Sequence, residues 1–387
     1  MRRQGWAKRT QDIQAFHVMS VLARAKTLQA QGRDVIHMEI GEPDFATPAP
    51  IVRAGQAALG NGHTGYTPAL GLPALREAIA ASYAQRYGVH VEPSRVVVTP
   101  GGSAALLLIA ALLVDPGQSV VMADPSYPCN RNFLRLLGAQ AKMIPTGPQS
   151  DYQLTPELIE QHWDESCSTV LAASPANPTG TLLSKPQLLA MADTVRRLGG
   201  HLVVDEIYHG LTYDCEAASV LEVAPDAFVL NSFSKYFGMT GWRLGWLIAP
   251  EAAIPELEKL AQNLYICAPH MAQWAALAAF EEETLAICEA RREAFKARRD
   301  FLLPALRDLG FGIPTTPQGA FYLYADISKH SADSSALCQR LLESEYLAIT
   351  PGLDFGDYRR NEHVRFAYTA SLDRLGQAVE RLERSLR

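Results

Sequence analysis

The chain is poor in features that would each have marked out a class of protein. Its 387 residues hold six cysteines (Cys129, Cys167, Cys215, Cys267, Cys288 and Cys338), scattered and without a CxxC pair. That usage suits reduced thiols in the cytosol better than a disulfide framework or a zinc site. Ten histidines are present, but no HExxH and no Cys/His cluster, so no metal centre is expected. The longest apolar run, ALLLIAALLV at 105–114, falls far short of the roughly 20 residues that cross a bilayer. Basic excess is also missing: 35 Lys and Arg against 41 Asp and Glu give a net charge of -6, with no stripe suited to nucleic acid or an anionic membrane. Arg2, Arg3, Lys8 and Arg9 open the chain, but His17, Ser20 and Arg24 break the apolar stretch behind them. This is a poor secretion signal and reads as an amphipathic helix. A soluble, cytoplasmic protein with neither a nucleic-acid nor a membrane partner is expected.

What is present is apolar and regular. With 48% hydrophobic and 20% charged residues, the chain can bury a large core and is expected to form two domains. From residue 75, helical patterns (LREAIAASYAQRYG, SAALLLIAALLV, NRNFLRLLG, KPQLLAMADTVRRLG) alternate with short β-branched runs (RVVVT, SVVMAD, TVLAAS, HLVVDE, AFVLNSFS). Strands that are apolar throughout and separated by helices predict an α/β fold with a largely parallel sheet covered on both faces. Residues 283–309 predict a long charged helix despite Pro304, and AFYLYADIS, a further helical stretch and VRFAYTA predict a small α+β unit behind it.

In such a sheet, ligands bind beyond the carboxyl ends of the strands, so the residues just after each strand carry the information. RVVVT runs into PGGSAA, a glycine turn into a helix whose free N–H groups suit a phosphate. The next strands deliver Tyr127 in DPSYP, Asn177 in PANPTG, Asp205 and Tyr208 in DEIYHG, and Ser232, Ser234 and Lys235 in SFSK. Each has an ordinary reading: a turn glycine, an Asn-Pro turn, a helix-capping aspartate, core tyrosines, a lysine snorkelling from a loop. Pyridoxal phosphate calls for the whole set together, with a phosphate, a pyridinium nitrogen, a phenolate oxygen and an aldehyde to satisfy.

The same residues carry a resemblance. IGEPDF (40–45), GYTPALGLPALREAIA (65–80), GGSAAL (101–106), PANPTG (175–180), DEIYHGL (205–211), SFSKYFGMTGWRLGW (232–246), PQGAFYLYAD, TPGLDFG and VRFAY occur in this order over nearly the whole chain. The chain thus resembles the class I/II pyridoxal-phosphate-dependent aminotransferases of fold type I. The resemblance implies a mainly parallel seven-stranded sheet in a large cofactor domain (46–282), a small C-terminal α+β domain (283–387), and an N-terminal segment (1–45) packing with the small domain and the active site. It makes Lys235 the Schiff-base lysine and Asp205 the partner of the pyridinium nitrogen. Asn177 and Tyr208 become donors to the phenolate oxygen, with Tyr127 against the ring. The phosphate cup is Gly102, Ser103, Ala104, Ser232, Ser234 and Arg243, and Tyr66 reaches the phosphate of the neighbouring subunit, which implies a homodimer with shared sites. Arg365 grips the substrate α-carboxylate, with Gly41 beside it. A lysine needs its pKa depressed by about three units from ~10.4 to act at neutral pH, and apolar neighbours with Arg243 push that way.

The implied activity is ping-pong transfer of an amino group between an L-amino acid and a 2-oxo acid. A carbon–sulfur β-lyase or synthase on the same fold is the alternative, with a cofactor-binding regulator behind it. Ser103 stands where some bacterial aspartate aminotransferases carry the lysine that binds a distal carboxylate, which speaks against an aspartate-selective role. Arg131 either supplies that charge or is a solvated helix residue, and the stretch around Phe16 and His17 is expected at the substrate pocket.

Overall fold

The computed structural model describes residues 5–13 and 15–386, so Arg2 and Arg3 of the basic N-terminal cluster lie outside the described residues. In chain order the strands are β1 (Ile36–His37), β2 (Val96–Thr99), β3 (Ser119–Asp124), β4 (Gln140–Pro145), β5 (Cys167–Ala173), β6 (His201–Asp205), β7 (Phe228–Ser232), β8 (Gly245–Ile248), β9 (Tyr322–Asp326), β10 (Leu347–Ala348), β11 (Thr350–Pro351) and β12 (His363–Ala367). Seven of them form one sheet in the order β2-β8-β7-β6-β5-β3-β4. Only β8 runs against its neighbours, in register Val96↔Ile248 with β2 and Val229↔Ile248 with β7.

The sheet is apolar on both faces because it is buried on both. Along β2 the side chains alternate: Val97 joins Leu106, Leu108, Ile109, Leu230, Leu247 and Leu257 on one side. Val96 and Val98 join Leu75, Ile79, Leu188, Val204 and Val229 on the other. The helices Gly102–Leu113 and Ile254–Leu264 cover the first face, while Pro73–Tyr87 and Lys185–Arg197 supply side chains to the second.

The 27-residue helix Glu282–Asp308 continues through Pro304. Proline removes one N–H bond, and the burial of Phe295, Leu302, Leu303 and Leu306 holds the helix across that gap. Behind it lies the antiparallel sheet β11-β12-β9. The chain's beginning is tied to this region: β1 pairs in parallel with β10, and Ala25 and Leu28 of the helix His17–Ala30 bury against Leu342 and Ala348.

The sequence did not predict β4 or β8. QAKMIP is an edge strand, half-exposed along most of its length, so it shows neither a clean alternation nor a buried run. β8 begins inside GWRLGW, and its first residue has no room for a side chain. A Cβ on Gly245 would stand 2.9 Å from Asn231 O, Gly101 C and Gly102 N.

Candidate active site

The parallel strands end at one edge, and β8 starts there, so Thr99, Ser232 and Gly245 stand side by side. A cleft of about 450 Å³ opens at that edge, lined by Gly41, Gly102, Ser103, Tyr127, Asn177, Asp205, Tyr208, Ser232, Ser234, Lys235, Arg243 and Arg365, among others. Ala104 does not line it, and its N–H bonds Gly101 O at 3.2 Å. Tyr66 does not line it either: its side chain is 80% exposed, on the segment before the helix Pro73–Tyr87.

Lys235 follows β7 and points its amine back across the sheet edge, where Nζ donates to Gly41 O at 2.6 Å. Burial pushes its pKa down to about 8; Glu42 and Asp205 resist that, and Arg365 and Arg243 add to it. Nζ lies 5.9 Å from the ring centroids of both Tyr208 and Phe321. Asp205 closes β6. Its Oδ1 accepts from the Ile207 N–H at 3.0 Å, and Oδ2 is left for the cleft. Burial raises this carboxyl to about 7, against the pull of the Ile207 N–H and Lys235.

Arg365, at the centre of β12, is 2% exposed. Nη1 donates to Asn177 Oδ1 at 2.9 Å and Nη2 to Glu39 O at 2.5 Å, while Nε has no partner. The guanidinium lies 4.3 Å from the Tyr322 ring centroid and 4.9 Å from that of Phe355. A buried cation braced on two of its nitrogens, with N–H groups to spare and lining the cleft, suits a carboxylate.

At the opposite end, the helix Gly102–Leu113 begins at the sheet edge, and its first N–H groups have no acceptor within the helix. Ser232 Oγ and Ser234 Oγ are 2.9 Å apart. Arg243 takes a left-handed backbone (φ 52°), and its Nη1 donates to Thr240 O at 3.0 Å. Gly101 (φ 83°) makes room for it, since a Cβ there would stand 2.7 Å from Arg243 Nη2. Free N–H groups, two hydroxyls and an arginine suit a phosphate.

The sequence reading missed Tyr322. Its hydroxyl is 2.8 Å from that of Tyr208 and occupies the space above Gly41, where a Cβ would be only 2.1 Å away. Gly41 is therefore needed for the tyrosine as well as for any ligand. Asp354 was also missed: its Oδ1 and Oδ2 accept from the His17 and Val18 N–H groups at 2.9 and 2.8 Å, which brings Phe16 and Val18 to the cleft wall. The ring of Phe16 meets Tyr127 edge-on at 6.4 Å.

Fold and cleft together define an α/β enzyme that joins a buried amine and carboxylate to an arginine at the carboxyl edge of a mostly parallel sheet. Residues 33–382 match the family described as aminotransferase class I and II, and the chain belongs to that family. It is 39% identical over 372 residues to a valine–pyruvate aminotransferase of Mycobacterium tuberculosis, covering 96% of each chain. To an aspartate/prephenate aminotransferase of Thermus thermophilus it is 34% identical, covering 99% of each. The crystal structure of an aminotransferase from Mycobacterium tuberculosis superposes with a TM-score of 0.95 at 38% identity, covering 99% of each chain. The protein is an aminotransferase, and the β-lyase and regulator alternatives find no support among these relatives. Among the described residues, no helix is long and apolar enough to cross a membrane.

Proposed function

We propose that the protein holds pyridoxal phosphate in this cleft and moves amino groups between L-amino acids and 2-oxo acids in two half-reactions at one site. The observation that carries the proposal is the convergence of Lys235, Asp205 and Arg365 on one cleft, two of them with pKa values drawn toward neutrality. The donor set fits the cofactor. Lys235 would hold its aldehyde and Asp205 its ring nitrogen, with Asn177 and Tyr208 at the phenolic oxygen and Tyr127 against the ring. Gly102, Ser103, Ser232, Ser234 and Arg243 would hold its phosphate, with Ala104 behind them in the first turn. When bound, the group supplies a carbonyl that accepts the amino group and a ring that absorbs the electron pair left at Cα.

The remaining chemistry belongs to the chain. Arg365, which lines the cleft, orients the donor by its α-carboxylate. Lys235 Nζ would take the Cα proton and pass it on to the carbon that receives the amino group; with a pKa near 8, a useful fraction of the amine is neutral at physiological pH. Asp205 would stay ionised beside a cationic ring nitrogen and would hold the ring proton in place.

The exposed side chain of Tyr66 supports a homodimer in which this residue reaches the partner's site. We also read 1–45 as a segment packing with a small domain, 283–387, against a large domain, 46–282, which the β1–β10 pairing and the contacts of Asp354 support. Six free thiols are consistent with a cytoplasmic location.

The test is to load the purified protein with pyridoxal phosphate and add single L-amino acids without an oxo acid. A change in cofactor absorbance is expected, with one 2-oxo acid released per site, reversed by a second 2-oxo acid. Release of ammonia in place of that exchange would refute the proposal. The named relatives divide between valine with pyruvate and aspartate with prephenate, so the family leaves the substrate side chain open.

A further inference from the structure

We infer, resting on the transamination reading above, that this cleft takes amino acids and 2-oxo acids with uncharged, apolar side chains and discriminates against dicarboxylates such as aspartate and glutamate. Among the described residues the cleft is lined by three cations, Lys235, Arg243 and Arg365. Each is already engaged. Lys235 donates to Gly41 O and serves the amine chemistry. Arg243 is fixed on Thr240 O beside the turn that opens the phosphate helix. Arg365, braced by Asn177 and Glu39 O, is committed to the α-carboxylate.

Within one chain a second carboxylate has to find a fourth cation, and Arg131 is the group nearest in the chain to the Tyr127 turn; a cation supplied across the proposed dimer would show as turnover of the dicarboxylates. It does not line the cleft, and its Nη2 donates to Asp354 O at 3.0 Å. There it braces the turn whose carboxylate holds the N–H groups of His17 and Val18. What that turn sets against the substrate is apolar. Asp354 precedes Phe355, whose ring lies 4.9 Å from the Arg365 guanidinium, so the anchored Phe16–Val18 stretch is fixed next to the carboxylate hook. Ile40 continues the same wall, between Gly41 and the Glu39 carbonyl that holds Arg365. A side chain projecting from Cα of a donor gripped by Arg365 therefore meets Phe16, Val18, Met19 and Ile40.

Against such a wall, each buried methylene of an aliphatic substrate is worth roughly fourfold in kcat/KM. A carboxylate there is desolvated without a partner, a penalty on the order of 100-fold or more. Both half-reactions use the one cleft, so the discrimination extends to the 2-oxo acids. Leucine and valine should exceed aspartate and glutamate by about 100-fold or more in kcat/KM, and pyruvate should exceed 2-oxoglutarate as acceptor.

The experiment measures kcat/KM of the loaded enzyme for leucine, valine, aspartate and glutamate. Calorimetric binding of 3-methylbutanoate and of succinate, which carry no amine and cannot react, gives a readout independent of turnover. Tighter binding of 3-methylbutanoate together with the expected donor order supports the inference. Turnover of glutamate or aspartate within tenfold of leucine overturns it and leaves transamination intact. No reaction with any donor overturns the transamination reading and this inference with it. In Met19→Arg, a cation enters at a half-exposed position on the wall, and the glutamate-to-leucine ratio should rise at least tenfold. An unchanged ratio would place the side-chain site elsewhere and overturn the assignment of this wall.

Discussion

Replacing Asp205 by asparagine separates what the site does to stability from what it does for its ligand. In the cofactor-free protein the carboxyl titrates near 7 instead of 3.8, because burial disfavours its charge. Between those values the folded chain holds a proton that the unfolded chain has lost, so stability falls as pH rises through that window. Once the group is fully ionised, above about pH 7, it costs roughly 4 kcal/mol; at pH 5 the cost is only roughly 1.5 kcal/mol. The asparagine side chain keeps an oxygen for the Ile207 N–H and carries no charge, so Asp205→Asn should stabilise the cofactor-free protein by an amount that grows with pH over that range. Urea unfolding of both proteins from pH 5 to 8.5, at one protein concentration, measures this directly. With pyridoxal phosphate present the order should reverse, because the carboxylate then has a cationic partner and the amide does not. A stability difference that stays flat with pH, or wild type more stable in the cofactor-free state, would refute the claim that burial dominates at this carboxylate.

Two further expectations concern the groups beside it. Lys235, with a pKa near 8 instead of 10.5, should be methylated by formaldehyde and borohydride in the cofactor-free protein with a pH midpoint near 8; peptide mass spectrometry that puts the midpoint above 10 would contradict the burial assigned to it. Tyr322→Phe keeps the ring under Arg365 and removes the hydroxyl bonded to Tyr208. It should cost about 1 kcal/mol of stability and alter the pH dependence of the bound cofactor's absorbance, whereas an unchanged absorbance titration would make Tyr322 merely structural.

Legibility followed the physics of each element. β2, β6 and β7 could be read from the sequence because strands covered on both faces carry unbroken apolar runs (96–98, 202–204 and 228–230), and β8 could not because its first residue, Gly245, answers to the backbone of Gly101 and Gly102 more than a hundred residues earlier. Site residues just past strand ends were legible for the same topological reason. Tyr322 was not: PQGAFYLYAD looks like any buried strand, and its role arises from a hydroxyl that meets Tyr208, 114 positions away, over a glycine 281 positions away. The Asp354 carboxylate likewise acts through the N–H groups of a helix at the far end of the chain.

The two perturbed groups at the centre of the cleft are best understood together. Asp205 is raised to about 7 and Lys235 lowered to about 8, so each is held near the point where its charge is lost, and each is the other's weak countercharge. Near neutral pH the empty cleft therefore carries two poorly solvated charges, and both penalties fall on the stability of the folded chain. On the proposed reading, one ligand relieves both: it takes the lysine into a covalent bond and gives the carboxylate a cation. The free energy withheld from folding then reappears as affinity for the ligand, because whatever binds only the folded form stabilises it by linkage. A cofactor-free protein less stable than its neutralised variant and a cofactor that binds tightly are thus two measurements of one quantity. A variant that gains stability at Asp205 should lose a comparable amount of cofactor affinity.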